Sequence, residues 1–118
     1  MINAPQKNIH IYLESNPNPS SLKFVVNEIL VPEGLSFDFP DAESSDISPL
    51  AKELFEYDFV DRVFFASNFI TVTKNDVVTW DLVQLELREF IQEFLNRDGR
   101  VLTSDARDAF NRPWEGDQ

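Results

Sequence analysis

A chain of 118 residues is long enough for one domain that buries its own core without disulfides or metal crosslinks. Hydrophobic residues make up 42% of it, including 11 Phe and 2 Trp, which argues against a wholly disordered protein. The 21 Asp and Glu outnumber the 10 Lys and Arg, and the net charge of -11 disfavours nucleic acid and anionic membranes as partners.

The first part of the chain predicts two strands joined by a stiff turn. Ile9, Ile11 and Leu13 alternate with polar residues over positions 8–14, and a second alternation starts at Leu22. Residues 15–20 lie between them and contain prolines, which lack N–H donors and bias the preceding residues towards extended geometry. We therefore expect the two strands to pair across a proline turn.

A third strand and a short helix are predicted next. Residues 35–39 alternate again, whereas residues 41–46 are polar and acidic and are predicted to be a loop. Ser48 and Pro49 then form a helix-start signature, because the serine oxygen can cap free N–H groups and proline needs no partner there. The helix that follows is expected to bury Phe55 in the core.

Residues 60–74 predict a β-hairpin with a break at residues 66–68, because aromatic and β-branched side chains dominate both halves. We expect these side chains to form core at the centre of the sheet. A longer amphipathic helix follows, capped by Thr79 and continuing to about Arg97. Gly99 is expected to end it in the left-handed conformation, which glycine adopts without strain.

The predicted order of elements is therefore β-β-β-α-β-β-α. Two helices that each carry one apolar stripe can both cover the same face of a sheet. The predicted fold class is α+β, a two-layer sandwich of an antiparallel or mixed sheet with two helices on one face. Residues 1–103 form the predicted domain, and residues 104–118 form a polar C-terminal tail or linker stub.

The residue types that most enzyme sites need are scarce. The chain has no cysteine, so it supplies no thiolate nucleophile and no cysteine ligand for zinc or an iron–sulfur cluster. With 3 glycines it has no glycine-rich phosphate loop, and its single histidine, His10, is expected to face solvent from a strand. We therefore predict that the protein is not an enzyme.

An acidic segment offers an alternative function. Carboxylates clustered at positions 38–46 are of the kind that bind hard cations such as calcium. Their spacing lacks the Asp-x-Asp-x-Asp-Gly rhythm of a calcium loop, which favours a solvated acidic loop. The alternative is a carboxylate-based metal-binding protein or hydrolase that uses Asp38, Asp41, Glu43 and Asp46.

The least ordinary local sequence is Asn16-Pro17-Asn18-Pro19. It is either a rigid hairpin turn or an exposed recognition loop whose stiffness lowers the entropic cost of binding. In the second interpretation, the candidate protein-interaction residues are Asn16, Pro17, Asn18, Pro19 and the nearby Lys23.

The compartment is predicted from two further observations. The first residues contain no basic segment followed by an apolar run, and no apolar stretch approaches membrane-spanning length. Both favour a cytoplasmic protein with no membrane partner.

A set of short motifs spans residues 9–103. They are NPNPSSLKF at 16–24, SPLA at 48–51, LF at 54–55, VxxVF at 60–64, NFITVTK at 68–74 and Trp80. In this order and spacing the motifs resemble the N-terminal domain of Nfu/NifU-type iron–sulfur scaffold proteins. The ordered set is more specific than any single motif.

The resemblance implies a compact α/β domain that in longer relatives precedes a second domain with a Cys-x-x-Cys pair, and that second domain holds the cluster. The present chain has no cysteine, so no cofactor is expected in it. The implied function is a non-catalytic accessory domain in iron–sulfur cluster assembly or delivery that recognises client or donor proteins. A C-terminal NifU-like domain of the same protein is a further implied partner.

Two questions stay open at this point. The polar sequence from Thr103 favours a linker stub, and hence a chain that continues into such a domain, over a single-domain relative. A purely structural or oligomerising domain is a third interpretation, because it needs no iron–sulfur partner.

Overall fold

The computed structural model describes residues 8–103. The elements are β1 (Ile11–Ser15), β2 (Ser21–Val26), β3 (Ser36–Phe39), a 3-10 helix (Ala42–Ile47), α1 (Pro49–Leu54), β4 (Val60–Ala66), β5 (Phe69–Lys74) and α2 (Trp80–Asn96). This order confirms the predicted arrangement, with one 3-10 helix added before α1. The predicted tail at residues 104–118 lies outside the described residues.

The strands form a five-stranded sheet in the order β1-β2-β5-β4-β3. Every neighbouring pair is antiparallel, and β1 pairs with β2 across the proline turn as predicted. The fold is therefore α+β with an antiparallel sheet. Because β5 lies in the middle, the prediction that the hairpin lies at the centre of the sheet is confirmed.

The β4–β5 hairpin turns through Ser67 and Asn68, whereas Ala66 still belongs to β4. Ser67 has a φ of 51°, in the left-handed region that two-residue hairpin turns require. Asn68 ties the turn to β2, because its Nδ2 donates to the Val26 carbonyl at 3.0 Å and its own carbonyl accepts from the Val26 N–H at 2.8 Å. The turn is thus fixed to the neighbouring strand.

One face of the sheet forms the core with both helices. Phe24 lies opposite Ile70, and Ile70 lies opposite Phe65, so these fully buried side chains form one row across three strands. Leu54 of α1 and Leu87 of α2 belong to the same core cluster. Burial of each such side chain contributes about 1.5–3 kcal/mol. The prediction of two helices on one face is confirmed.

The prediction of an acidic loop at residues 41–46 is partly wrong, because residues Ala42–Ile47 form the 3-10 helix. Asp41 caps its start, because the carboxylate accepts from the Ser44 N–H at 2.9 Å. Side-chain capping stabilises a short helix without an apolar stripe, and hydrophobic periodicity does not detect such a helix.

Helix α1 begins where the sequence predicted, and the Ser48 Oγ accepts from the Ala51 N–H at 2.9 Å. The same oxygen donates to the Val101 carbonyl at 2.5 Å, and Ser48 is fully buried. The helix ends at Leu54, so Phe55 lies at its C-cap and is half-buried against the core. The prediction that Phe55 is a full core residue is therefore wrong.

The end of α2 also differs from the prediction. Asp98, and not Gly99, adopts the left-handed conformation, with a φ of 66°. A Cβ atom at Gly99 would lie 2.5 Å from the Phe94 ring. Glycine is therefore needed at 99 because the Phe94 side chain packs against its backbone. Thr79 occupies the predicted N-cap position of α2, but its side chain makes no capping hydrogen bond.

Candidate recognition surface

The turn between β1 and β2 is built from successive asparagine turns. The Asn16 Oδ1 accepts from the Asn18 N–H at 3.0 Å, and the Asn18 Oδ1 accepts from the Ser20 N–H at 3.0 Å. The Asn18 carbonyl also accepts from the Ser21 N–H at 2.9 Å. Pro17 and Pro19 are exposed between these bonds. The turn therefore presents a defined backbone shape to solvent.

Lys23 follows this turn on β2, and its neighbours Leu22 and Phe24 point into the core. Alternation along a strand therefore directs Lys23 to the opposite face of the sheet. Its Nζ lies 3.3 Å from the Glu14 carboxylate and 4.1 Å from the centre of the Phe69 ring. An ion pair and a cation–π contact thus fix the position of the ammonium group.

Lys23 belongs to an apolar surface that we call the open sheet face, which comprises Tyr12, Lys23, Val25, Phe64 and Phe69. Cross-strand pairing aligns Tyr12 with Val25 and Val25 with Phe69. The Phe64 and Phe69 rings are 6.2 Å apart, and Tyr12 is 59% exposed. None of these side chains belongs to the core cluster that both helices join, although Val25 itself is buried. The described helices therefore leave this face uncovered.

Two polar pairs border the open sheet face, one between β3 and β4 and one between β2 and β5. Arg62 donates to both carboxylate oxygens of Asp38, from Nε at 3.0 Å and from Nη2 at 2.5 Å. This hydrogen bonding lowers the pKa of Asp38 below its usual value and raises the pKa of Arg62. The Ser21 and Thr73 hydroxyls are 2.7 Å apart. The Asp38–Arg62 and Lys23–Glu14 pairs thus balance the charges around a face of a strongly acidic protein.

The sequence-predicted interaction residues thus occupy two adjoining positions. Asn16, Pro17, Asn18 and Pro19 lie in the turn, and Lys23 lies on the open sheet face one residue pair from the end of β1 and β2. Sequence reasoning missed Phe64 and Phe69, which were predicted to be core but are half-buried on the open face. Their alternation with the buried Phe65 and Ile70 was the available signal.

The acidic residues at 38–46 are not brought together as a metal site. Asp38 pairs with Arg62, Asp41 caps the 3-10 helix, and Asp46 lies 3.3 Å from the Lys52 ammonium group. Across residues 8–103, no group of three or more His, Cys, Asp and Glu side chains is arranged to hold a metal ion. His10 is exposed, as predicted, but it precedes β1 and is not part of a strand.

A cleft of about 350 Å³ lies elsewhere, between residues 28–32 and residues 95–102. Glu28, Asp98 and Arg100 line it, and each already makes interactions within the protein. None of the sequence-predicted interaction residues borders this cleft.

Comparison with known families identifies the fold. The family model described as "Scaffold protein Nfu/NifU N terminal" matches residues 11–98. The chain belongs to the Nfu/NifU N-terminal domain family. This confirms the resemblance drawn from the ordered motifs, and the family is one of scaffold proteins.

Curated relatives agree with this assignment of the Nfu/NifU N-terminal domain. The mitochondrial NifU-like protein 5 of Arabidopsis thaliana is 40% identical over 102 residues, which is 86% of this chain and 36% of that protein. The mitochondrial NFU1 iron–sulfur cluster scaffold homolog of Drosophila willistoni is 36% identical over 94 residues, or 80% of this chain and 32% of that protein. The chain thus spans about a third of the length of these relatives.

Solved structures share the fold of this Nfu/NifU N-terminal domain. The NMR structure of a NifU-like protein from Saccharomyces cerevisiae matches with a TM-score of 0.72 at 22% identity, over 88% of this chain and 95% of that one. The crystal structure of protein SAV1430 from Staphylococcus aureus matches with a TM-score of 0.57 at 20% identity, over 69% of this chain and 96% of that one.

The predicted cytoplasmic location is wrong. The curated relatives from Arabidopsis and Drosophila are named as mitochondrial proteins. The prediction rested on the first residues of a chain that spans only about a third of those relatives, and such a stretch does not report on their compartment. Neither the length nor the apolar composition of a membrane-spanning segment is found in a helix of residues 8–103.

Proposed function

We propose that this Nfu/NifU N-terminal domain is a non-catalytic accessory domain in iron–sulfur cluster assembly or delivery. Its task is to recognise client or donor proteins for a cysteine-bearing scaffold domain. The observation that carries the proposal is the family match over residues 11–98 in a chain that has no cysteine. Since cluster ligation normally uses cysteine thiolates, the cluster is held by a separate domain and this chain contributes binding.

The surface proposed for recognition combines the β1–β2 turn with the adjoining part of the open sheet face. Two asparagine side chains hold the turn rigid, so binding a partner there costs little ordering entropy. Lys23 and Phe69 supply a cation and an aromatic ring that are already in contact at 4.1 Å. Charged groups that are paired before binding lose less on desolvation than unpaired groups do.

The recognition role is tested by cluster transfer from a protein in which residues 8–103 precede a cysteine-bearing domain. The same protein without residues 8–103 is the comparison, and both are loaded with equal amounts of cluster. We expect slower transfer to an apo client protein after the deletion, with the difference largest at low client concentration. Equal transfer rates at all client concentrations contradict a recognition role.

A purely oligomerising role predicts a different pattern, and the same two proteins distinguish it. If the domain only assembles copies of the protein, its deletion changes the sedimentation coefficient and leaves the client concentration needed for half-maximal transfer unchanged. A recognition role predicts that the deletion leaves the sedimentation coefficient unchanged and raises the client concentration needed for half-maximal transfer. The alternative function as a metal-binding protein or hydrolase has no support from the acidic residues, because three of the four are engaged in separate contacts.

A further inference from the structure

Helix α2 carries exposed leucines on the side that faces away from the core. Leu82 is 74% exposed and Leu85 is 53% exposed, although both lie within a helix whose Val83, Leu87 and Ile91 are buried. Residues three apart in a helix are neighbours on its surface, so the two leucines form one apolar spot. Leucine side chains at this exposure gain little from the fold of this domain.

Three glutamate carboxylates lie along the same side of the helix. With 100° between successive residues, Glu86, Glu89 and Glu93 project within about 60° of Leu82 or Leu85 around the helix axis. All three are exposed, and none belongs to an ion pair among the described residues. We call the surface of Leu82, Leu85, Glu86, Glu89 and Glu93 the outer stripe. It spans about 16 Å along the helix at 1.5 Å per residue.

We propose that the outer stripe docks a basic amphipathic helix from a partner protein. Its apolar residues would cover Leu82 and Leu85, and its flanking Lys or Arg would face the three glutamates. Two leucines at helical spacing beside three carboxylates, with Arg88 alone at the edge of the stripe, are what such a partner segment complements. The site lies on the opposite side of the molecule from the open sheet face, so the inference goes beyond the function proposed above.

Charge complementarity also argues against a second copy of this chain as the molecule that binds the outer stripe. A second copy of this chain would bring glutamates against glutamates, in a protein whose net charge is already -11. The stripe differs in this respect from the open sheet face, where two cations and two anions are paired with each other. We therefore expect a cationic partner to bind the outer stripe and not the open sheet face.

The probe for the test is a synthetic peptide of about 18 residues, long enough for a helix, with leucines along one side and lysines beside them. A scrambled peptide of the same composition keeps the charge and loses the apolar side. Binding is measured by NMR titration of the isotope-labelled chain. We expect the amphipathic peptide to bind at least about tenfold more tightly than the scrambled one, with shifts centred on Leu82, Leu85 and Glu89.

Matched variants separate the apolar and charged contributions. Leu82→Gln with Leu85→Gln, and separately Glu86→Lys with Glu89→Lys, should each weaken binding about tenfold, and the charge reversal should also remove most of the salt dependence. The control is Glu33→Lys with Glu43→Lys, which makes the same change in net charge at exposed positions elsewhere. It should change affinity less than about threefold. All positions are exposed, so the melting temperatures should stay close to that of the unchanged chain.

Several results would overturn the proposal. Equal affinity for the amphipathic and scrambled peptides would mean that binding depends only on net charge. The same conclusion would follow if the control variant weakened binding as much as the charge reversals on α2. Shifts centred away from α2, or no binding at about 1 mM peptide, exclude the stripe as the docking site. Concentration-dependent sedimentation that Leu82→Gln abolishes identifies a second copy of this chain as the occupant, and this also overturns the proposal.

Discussion

The Lys23 ammonium group lies 4.1 Å from the centre of the Phe69 ring, on the face of the sheet that the described helices leave uncovered. The same group lies 3.3 Å from the Glu14 carboxylate, so three adjacent strands each contribute one member of this contact. Cross-strand contacts of this kind typically contribute about 0.2–1 kcal/mol, too little to explain why a sheet face keeps aromatic rings exposed to solvent. The recognition role proposed above would give these rings a partner.

Replacing the half-buried Phe55 with alanine should lower the free energy of unfolding less than replacing a fully buried core phenylalanine. Phe65 is fully buried, so Phe65→Ala should lower the free energy of unfolding by about 3–5 kcal/mol. Phe55 lies at the C-cap of α1 and is only partly covered, so Phe55→Ala should cost about 1–2 kcal/mol. Urea unfolding of both variants checks this order, and equal losses would mean that Phe55 is packed as deeply as Phe65.

Alanine at position 99 should destabilise the domain by overpacking. The new Cβ would lie 2.5 Å from a carbon of the Phe94 ring and 2.7 Å from the Phe94 carbonyl oxygen. We expect Gly99→Ala to lower the free energy of unfolding by about 1–3 kcal/mol. The control is Gly34→Ala, where nothing lies within 4 Å and the only cost is a φ of 85°. Hydrogen exchange should report fraying of the end of α2 in the first variant only, and its absence there would refute the steric argument.

Two N-cap residues should respond differently to alanine. The buried Ser48 hydroxyl bonds both the Ala51 N–H and the Val101 carbonyl, so Ser48→Ala leaves the buried Ala51 N–H donor without its acceptor. The expected loss is about 1–3 kcal/mol. Thr79 occupies the same position on α2 without a side-chain capping bond, so Thr79→Ala should cost less than about 0.5 kcal/mol. Thermal unfolding of both variants measures the difference, which should vanish if capping is unimportant in this fold.

The Asp38–Arg62 pair predicts a specific loss of stability in acid. Hydrogen bonding to Arg62 holds the pKa of Asp38 below its ordinary value of 3.8, so the folded state favours the carboxylate. The pair therefore contributes its full stabilisation above about pH 4, and this contribution disappears as the pH falls through the lowered pKa. The stability difference between the unchanged protein and Asp38→Asn should shrink as the pH falls from about 4 to about 2.

The effect should be small, because both side chains are about half exposed and solvent screens the pair. Arg62→Gln supplies the control, since it removes the other member of the same pair and should give a pH profile parallel to that of Asp38→Asn. A difference between Asp38→Asn and the unchanged protein that stays constant with pH would show that the pair does not lower the pKa of Asp38.

Local patterns were enough to predict most of the elements. Alternation identified β2 and the hairpin, and the Ser48-Pro49 signature located the start of α1. The end of α2 was harder, because the helix stop requires one left-handed residue and both Asp98 and Gly99 can supply it. Packing of the Phe94 ring on the backbone at 99 decides between them, and this contact is invisible in the local sequence.

The candidate site was only half predictable for a related reason. The proline turn is a local feature, so Asn16 and Asn18 could be proposed from sequence alone. Which of two neighbouring phenylalanines faces the helices depends on how the strands associate. Phe64 and Phe65 are chemically identical, yet only Phe65 lies in the core. The open sheet face therefore follows from the strand order and from the side on which the helices pack.

The most direct test of the proposed role is an NMR titration of the isotope-labelled chain with the apo client whose cluster transfer depends on residues 8–103. We predict saturable changes in chemical shift at Asn16, Asn18, Lys23 and Phe69, with little change at Lys52, an exposed and ion-paired lysine elsewhere. Lys23→Glu should abolish these changes, whereas Lys52→Glu should leave them intact. A client that shifts no residue of the turn or the open sheet face, or that binds Lys23→Glu with unchanged affinity, contradicts this account.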